Sequence, residues 1–540
     1  MKKYVILACA LLAASCSKSA FETPDTKSSL KIVVNTDNAE VKTSLSQSGS
    51  NYVVNWNAGD QILLSQGSSS DTYTLSSGNG TTCGTFTVDG TASISSGDVV
   101  IYYPATLNPS SLTWPSEQTY TDAGTVVCPM RGEATISGDE VSCGLEHLGA
   151  VLELKLACPE AVHIASVSLA ADQGLSGTFT VSSGAAVISG DGGIIDADFE
   201  CRSISGTQSF FFAVPAGTYT NFYIRVTDQD GNVAIKKAGS ISFARAACVP
   251  VSFTLSASSF VNRSKVFSVS ASKKVYISKG NLQWQGSTGT WRFARHQWDV
   301  IGKASGNTTS PQTSRATQEN WIDLFNYGTS GVAVNGYTLG PHLINPSAAG
   351  CSGFYVGNVA ANELTGTDSN GDAYNADWGY NKILNGGNEN GLWFTPSMAE
   401  WKYMMSGAGG TTSRGAKTWY GSATVNGVFG YIILPDEWTD PAPGGKSFVT
   451  GYGAAKNSYT AAEWLIMEDA GAVFYPECGY RSDYAVTFGT GSSARYHLSS
   501  VNGNNSYYVA FNNTGLSNLV SPGNGGRGIA KGVRLMRVAE

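Results

Sequence analysis

The chain has 540 residues, of which 14 % are charged and 63 are glycine, and its formal net charge is −7. A weakly charged, acidic chain without a basic run argues against nucleic acid or an anionic membrane surface as the main partner. Abundant glycine together with 11 % aromatic residues is typical of short strands joined by turns, not of helical bundles or disordered chains. We expect a mainly β protein of three or four domains.

The first residues have the pattern of a targeting segment. Two lysines precede the apolar run Tyr4–Ala14, which is too short to span a bilayer. Leu12–Cys16 resembles a bacterial lipobox, which implies that residues 1–15 are a signal peptide and that Cys16 carries the lipid. The alternative, an ordinary secretion signal, would also export the chain. Residues 16–27 then form a lipidated polar tether, and we expect contact with the membrane through the lipid anchor only.

Composition changes near residue 260. Ten of the twelve tryptophans lie beyond that point, whereas six of the eight cysteines that follow Cys16 lie before it. We therefore place a boundary at Ser256–Arg263 and a C-terminal head domain at 264–540. A weaker break divides the first half into domains at 28–158 and 159–256. The cysteine spacing permits disulfides and buried free thiols alike, and it does not suggest a zinc site.

Both N-terminal domains contain alternating strand patterns. Val151–Leu156 places its leucines on one face of a predicted strand. Phe222–Thr227 alternates in the same way and is followed by Asp228–Asn232. That last segment could mimic a calcium loop, but the closing glutamate of such a loop is missing. A hairpin turn is therefore favoured there.

Short motifs in the first half recur in the same order in one known family. They are Trp56–Ile62, Tyr103–Pro104, Pro115–Gln118, Pro129–Met130, Leu145–Ala150 and Pro215–Tyr219. Together they resemble the fimbrillin-like proteins of Bacteroidales over about residues 28–256. The resemblance implies an exported lipoprotein that folds as two tandem transthyretin-like β-sandwiches.

The same resemblance bears on assembly. In this family the major subunits polymerise after a protease removes an N-terminal strand, and in the best-known systems the cut follows an arginine. This chain has no arginine before Arg131. We therefore expect an accessory, tip or membrane-retained subunit, or a relative outside pili, instead of a polymerising subunit.

Two capping boxes predict short helices in the C-terminal half. Ser397 is followed three residues later by Glu400, and Thr460 stands in the same relation to Glu463. An alternative start for the first helix has Pro396 at its first position. Helical spacing predicts that the apolar residues after each box are buried on one face, namely Trp401, Met404 and Met405, and Trp464 and Met467.

These helices belong to a second resemblance. Phe394–Pro396, Thr460–Trp464, His497–Ser500 and Gly532–Arg537 resemble marks of the C-type-lectin-like domain of exported Bacteroidales proteins, which is related in fold to formylglycine-generating enzymes. The resemblance implies a C-type-lectin-like α+β head at 264–540. The predicted fold class is thus mainly β, with two transthyretin-like β-sandwiches followed by this head.

Signals for chemistry are weak. The head holds only two cysteines, neither in the context that formylglycine-generating relatives use, and no Gly-x-Ser-x-Gly elbow occurs. We predict a protein that is not an enzyme, with no catalytic residues and no evident cofactor. Glycoside hydrolysis stays open as an alternative, because its two acids need only meet in space.

Candidate ligand residues lie in the loops of the head. The residue triplets that hold calcium in lectins are absent. Asp368, Asn370 and Asp372 offer oxygen ligands at alternate positions that could hold Ca²⁺, although a plain Asx/Gly turn is favoured and no metal site is predicted.

Three aromatic residues of the head are predicted to be exposed. Trp419 and Tyr420 lie in surroundings rich in glycine, serine and threonine, and Trp378 follows the polar residue Asp377, so we predict that these three bind ligand. The tryptophans within the resembling motifs, Trp291, Trp321, Trp401 and Trp464, are predicted to be structural.

The leading hypothesis is a cell-envelope lipoprotein that acts as a fimbria-associated or tip-type adhesin. Its partners would be pilus or fimbrial subunits, or surface glycans and glycoproteins. The alternative is a surface lipoprotein that binds glycans for nutrient capture, and an enzyme on a lectin-like fold is the third hypothesis. We expect the outer membrane, with the surface side favoured. A periplasm-facing position stays open because Ser17–Glu22 has little of the acidic cluster that resembles a surface-export signal.

Overall fold

The fold is taken from a computed structural model of the chain. It describes residues 30–36, 44–48, 51–119, 126–190, 192–310, 312–344, 353–368, 370–406, 413–415, 417–489, 494–513 and 519–539. The predicted signal peptide (1–15) and the tether (16–27) with its lipidation site Cys16 lie outside the described residues. Within those residues, no helix combines the length and the apolar character that crossing a membrane requires.

The first domain is a barrel. Its part of the chain contains β1 (Lys31–Thr36), β2 (Ser44–Ser48), β3 (Asn51–Asn55), β4 (Gln61–Gln66), β5 (Ser69–Ser77), β6 (Cys83–Val88), β7 (Gly97–Tyr103), β8 (Thr113–Trp114), β9 (Met130–Ile136) and β10 (Glu140–His147). The barrel order is β1-β10-β9-β7-β4-β5-β6. It closes because β1 pairs in parallel with β10 and antiparallel with β6. The first domain is therefore a closed barrel, whereas the prediction was a sandwich of two facing sheets.

The second domain is built on one long strand. Its strands are β11 (Gly149–Ala170), β12 (Gly177–Ser182), β13 (Ala185–Ile188), β14 (Ile195–Pro215), β15 (Gly217–Asp228), β16 (Val233–Phe243) and β17 (Cys248–Thr254). One sheet has the order β14-β11-β15-β16, with β17 also paired to β11, and a second has the order β13-β12-β8. Apolar residues of both sheets meet in one core, where Trp114 of β8 packs edge-on against Phe179 of β12.

The predicted domain boundary between 158 and 159 is wrong. Cys158 lies inside β11, and the change from one sheet to the next falls between His147 and Gly149. β8 also belongs to the second domain: the side chain of Gln118, just after it, accepts from and donates to the backbone of Ala213 at 2.9 and 2.7 Å. The change in composition near residue 158 does not mark a domain boundary, because β11 continues on both sides of that residue.

The predicted apolar faces of β11 and β15 are buried. Leu152, Leu154 and Leu156 of β11 are fully buried, as are Phe222 and Val226 of β15. The segment after β15 is a hairpin turn, as predicted, in which the Asp228 carboxylate accepts from the backbone N–H groups of residues 230 and 232.

The head begins and ends in the same sheet. Its strands are β18 (Phe267–Ser268), β19 (Lys274–Ile277), β20 (Leu282–Gln285), β21 (Thr290–Phe293), β22 (Trp321–Ile322), β23 (Ala333–Val334), β24 (Tyr337–Thr338), β25 (Thr365–Thr367), β26 (Ala373–Asn375), β27 (Tyr420–Val425), β28 (Val428–Ile433), β29 (Asn457–Tyr459), β30 (Val473–Pro476), β31 (Tyr480–Ser482), β32 (Ala485–Thr487), β33 (Ala494–Asn502), β34 (Asn505–Phe511), β35 (Gly523–Gly526), β36 (Ile529–Ala530) and β37 (Met536–Val538). The sheet β18-β19-β37 pairs the first strands of the head with the last, and the largest sheet has the order β29-β27-β28-β30.

Helices in the head are short. They are α1 (Ser305–Thr308), α2 (Gln312–Arg315), α3 (Met398–Met405) and α4 (Ala461–Asp469). Single 3₁₀ turns cover Val356–Asn358, Trp378–Tyr380 and Pro443–Gly445, and another, Ala257–Ser259, lies in the linker before the head. The described part of the chain is therefore mainly β, as predicted.

Both predicted capping boxes are confirmed. Ser397 caps α3 and accepts from the Glu400 backbone N–H, while the Glu400 carboxylate accepts from the Ser397 N–H; Thr460 and Glu463 do the same for α4. The helix therefore starts after Ser397, not at Pro396. The apolar residues predicted to face the core are buried: Trp401, Met404, Met405, Trp464 and Met467.

Several cysteines are buried thiols. Cys143, Cys158 and Cys478 are free and buried. Burial raises the pKa of the Cys143 thiol to about 11 and that of the Cys478 thiol to about 12. These three side chains act as small apolar groups of the core.

Candidate functional site

Two of the predicted ligand-binding aromatic residues are buried. Trp378 has no exposed surface, and its ring stacks on that of His497 with 5.2 Å between centroids. Trp419 is 6 % exposed and is covered by the Arg414 guanidinium, 4.2 Å from the ring centroid. The predicted exposure of these two residues is wrong. Asp377, the polar neighbour that suggested a surface loop, is itself buried.

Asp377 explains why this loop is internal. Its carboxylate accepts from the Thr395 backbone N–H at 2.8 Å and from the Thr395 hydroxyl at 2.9 Å. It also accepts from the Gly379 N–H and so starts the 3₁₀ turn that carries Trp378. Thr395 thus connects its own segment of the head to the segment of Asp377 by hydrogen bonds. The residues around Pro396 therefore have a structural role.

Tyr420 is only partly buried and lies beside exposed apolar groups. The Gly451 N–H donates to the Tyr420 carbonyl, which brings the loop with Val449 and Tyr452 against β27. Val449 is 47 % exposed and Tyr452 is 58 % exposed. These three residues, Tyr420, Val449 and Tyr452, form what we name the aromatic patch. Of the three residues predicted to bind ligand, Tyr420 is the one that belongs to this exposed patch.

The Asp368 loop is a hairpin turn between β25 and β26. The Asp368 carboxylate accepts from the backbone N–H groups of Asn370 and Asp372, at 2.9 Å in both cases. That arrangement is the Asx turn which the sequence favoured over Ca²⁺ binding. Among the described residues, no group of three or more His, Cys, Asp or Glu side chains is placed to hold a metal ion.

A buried ion cluster joins the second domain to the head. Arg225 of β15 donates to Glu468 at the end of α4, with 2.7 Å between Nη2 and Oε1, and lies 3.5 Å from Asp469. The Glu468 carboxylate also accepts from Gln297 at 3.0 Å. Both partners of the main pair are nearly inaccessible, with side-chain exposures of 6 % and 7 %.

The electrostatics of this cluster favour the ionised pair. Burial opposes the charged carboxylate, but Arg225 and Lys279 outweigh it and lower the pKa of Glu468 to about 2. A second contact repeats the pattern: His296 of the head lies 2.7 Å from Asp196 of the second domain. Burial disfavours the imidazolium, but Asp196 raises the pKa of His296 above its usual value. Opposite charges from the two domains therefore hold them together.

Beside the ion cluster lies a cavity of about 350 Å³ between the same two domains. Its lining includes Asp198 and Cys201 from the second domain and Arg292, Arg295 and Trp321 from the head. Asp198 accepts from both arginines, at 3.5 and 3.0 Å.

An adjoining cavity of about the same volume, 350 Å³, continues along the junction. Both cavities share Asp230, Ser264 and Trp393. We name the two together the junction groove, with a first and a second compartment. Volumes of this size fall within the range of about 300–1,000 Å³ that is usual for ligand sites.

The head wall of the groove is held in place by its own contacts. Arg292 donates from Nε to Gln283 at 2.9 Å, and its guanidinium stacks 3.8 Å above the ring of Trp321. Trp393 donates from Nε1 to the Gly386 carbonyl at 2.7 Å. Trp321, predicted to be structural, is only partly buried and lines the first compartment.

Comparisons with known proteins find distant similarity to solved structures of bacterial cell-surface proteins. No protein-family model matches the chain, and no curated protein matches it. A proposed cell adhesion protein from Bacteroides ovatus is 15 % identical over 44 % of this chain and 95 % of its own, with a TM-score of 0.32. One from Bacteroides uniformis is 16 % identical over 44 % and 96 %, with a TM-score of 0.28. A fimbrial protein from Bacteroides ovatus is 11 % identical over 95 % and 100 %, with a TM-score of 0.22. TM-scores of this size do not establish a shared fold.

Sequence reasoning missed the whole junction. Arg225 and Glu468 are 243 positions apart, so no local pattern relates them. Within β15, Arg225 stands between the buried residues Ile224 and Val226. Strand alternation places that arginine on the solvent side, so the local sequence carries no signal of its burial.

Proposed function

We propose that the protein is a non-enzymatic attachment protein of the cell envelope, anchored by lipid on Cys16 and associated with fimbriae as an accessory or tip subunit. Its partners in this proposal are fimbrial subunits on one side and a surface ligand on the other. The head, for which we retain the C-type-lectin-like assignment, presents the ligand-binding surface.

The observation that carries the proposal is the buried ion cluster between the second domain and the head. An attachment protein must transmit the load on its ligand-binding domain to its anchor. The Arg225–Glu468 pair fixes the relative position of the two domains, because a shift of one domain against the other would leave a buried charge without its partner. A hinge between freely moving domains would not need such a pair.

A second feature supports an accessory role. β1 is an integral strand of the first domain, paired along its length with β10 and β6. Since no arginine precedes Arg131, the arginine-directed cut that frees this position in polymerising relatives has no site near β1. In our proposal the chain keeps β1 and therefore does not accept a strand from a neighbouring subunit.

Co-purification tests the proposed function. The full chain, expressed with its own leader in a fimbriated Bacteroidales host and carrying a C-terminal tag, should retain fimbrial subunits after detergent extraction. A Cys16→Ala variant serves as the control for anchoring and should be released from the membrane fraction. Failure to recover fimbrial subunits with the tagged chain, under conditions in which the fimbriae remain intact, would contradict the fimbrial part of the proposal.

The non-enzymatic part has its own test. The purified chain should release no reducing ends from host or bacterial glycans, measured against a known glycosidase as a positive control. Turnover that one carboxylate substitution in the head abolishes would show instead that the protein is an enzyme.

A further inference from the structure

We propose that the junction groove binds an uncharged oligosaccharide of at least two rings, with one wall supplied by the second domain and the other by the head. This inference rests on the proposed function, because it names the ligand class that an attachment protein of this architecture would hold. The site is distinct from the aromatic patch and from the three residues that the sequence predicted to bind ligand.

The shape of the groove favours a chain ligand. Each compartment has a volume of about 350 Å³, and Trp393 lines both of them. A single small ring would fill only one compartment, whereas a linked pair of rings can occupy both. Trp393 is fixed by its hydrogen bond to Gly386 and by edge-on packing against Phe293, with 4.9 Å between ring centroids. A fixed aromatic ring offers an apolar surface to the C–H face of a sugar.

Charge on the two walls favours an uncharged ligand. Arg292 and Arg295 on the head wall are already neutralised by Asp198 between them. Glu200 and Asp230, on the other wall, make no ion pair with any described residue. Over the whole lining of the first compartment the charges nearly balance, so it does not strongly attract an ion of either sign. The carboxylates are those of Asp198, Glu200, Asp228, Asp230 and Glu468, and the cationic groups are those of Arg225, Lys279, Arg292 and Arg295.

Hydroxyl groups suit these walls because each can donate and accept a hydrogen bond. Two neighbouring sugar hydroxyls can accept from the Arg292 guanidinium and donate to the Asp198 carboxylate at the same time. Arg292 is already held by Gln283 and by stacking on Trp321. Because these donors are in place before the ligand arrives, little further ordering is required on binding.

Calorimetric titration of the intact mature chain tests the inference. The probes are four neutral trisaccharides, maltotriose, mannotriose, xylotriose and N-acetylchitotriose, with trigalacturonate and the chitosan trisaccharide as anionic and cationic comparators. Thr288→Trp is the blocking variant, because Thr288 is exposed and lines the first compartment. Thr338→Trp, at an exposed threonine of β24, is the matched control.

At least one neutral trisaccharide should bind, Thr288→Trp should weaken that binding about tenfold or more, and Thr338→Trp should leave it unchanged. The inference is overturned if no neutral trisaccharide binds, if only a charged one binds, or if Thr288→Trp has no effect. Circular dichroism of both variants establishes that they fold. Co-purification with fimbrial subunits does not depend on the groove, so recovery of those subunits without sugar binding would refute this inference alone.

Discussion

Removing the Glu468 carboxylate should loosen the head from the second domain. In Glu468→Ala, the buried Arg225 guanidinium keeps only Asp469, at 3.5 Å, as an anionic partner. Removing one partner of a buried pair costs about 3–5 kcal/mol. Because Asp469 remains as a partner, we expect a loss at the lower end of that range, about 3 kcal/mol. The pKa of Glu468 gives a similar figure. Its displacement from 4.5 to about 2 corresponds to about 3 kcal/mol at about 1.4 kcal/mol per pKa unit.

Urea unfolding followed by tryptophan fluorescence measures this loss, since ten of the twelve tryptophans lie beyond residue 260. The matched control is Glu146→Ala. Glu146 pairs with Arg245 at 2.6 Å, nearly the same distance, but both side chains are exposed, at 58 % and 37 %. Its loss should cost no more than about 1 kcal/mol. The double variant Arg225→Met with Glu468→Met removes both charges and should recover most of the stability that Glu468→Ala loses.

Equal losses of unfolding free energy in Glu468→Ala and Glu146→Ala would refute the reasoning. Burial would then not determine the strength of the junction pair. A double variant as unstable as Glu468→Ala would also contradict it, because the cost would then come from lost packing and not from an uncompensated charge. Limited proteolysis between residues 256 and 263 provides a second readout, since a loosened head should expose that linker.

Three further predictions follow from single contacts. The pKa of Glu468 is lower in the folded chain than its unfolded value near 4.5. The stability that this carboxylate contributes is therefore present above pH 4.5 and should be lost as the pH falls toward 2. Glu468→Gln should flatten that part of a plot of the free energy of unfolding against pH. Ser397→Ala should cost about 1 kcal/mol in urea unfolding by removing the α3 cap, whereas Ser397→Asp should retain most of it. Thr395→Val should cost about 1–3 kcal/mol, because it takes a hydroxyl donor from buried Asp377; Thr395→Ser keeps that donor, so a loss as large in the serine variant would show that the hydrogen bond is not the cause.

Local patterns carried most of the correct sequence predictions. The capping boxes at Ser397 and Thr460 and the alternating β11 leucines depend on neighbours within a few positions, so the sequence suffices to place them. Barrel closure could not be predicted this way. It depends on β1 finding two partners far along the chain, β6 and β10, and no pattern within β1 specifies either.

The failed prediction at Trp378 has a clear physical reason. A polar neighbour such as Asp377 is typical of a surface loop, but its carboxylate is satisfied internally by the Thr395 hydroxyl and backbone N–H. A buried polar residue with all its hydrogen bonds made looks the same in sequence as a solvated one. The junction groove was missed because its walls come from two domains, and neither wall carries a motif alone.

The parallel pairing of β1 with β10 determines how the first domain responds to mechanical force. Their register runs from Lys31 opposite Glu140 to Thr36 opposite Leu145, so both strands point the same way. The chain before Lys31 leaves at one end of the pair, and the connection to the second domain leaves β10 at the other. If the chain is anchored through its N-terminus as proposed, tension between that anchor and the head slides the two strands along each other and loads all the hydrogen bonds between them together. Strands in this shear geometry must break those bonds at once, whereas strands pulled apart from one end release them in sequence.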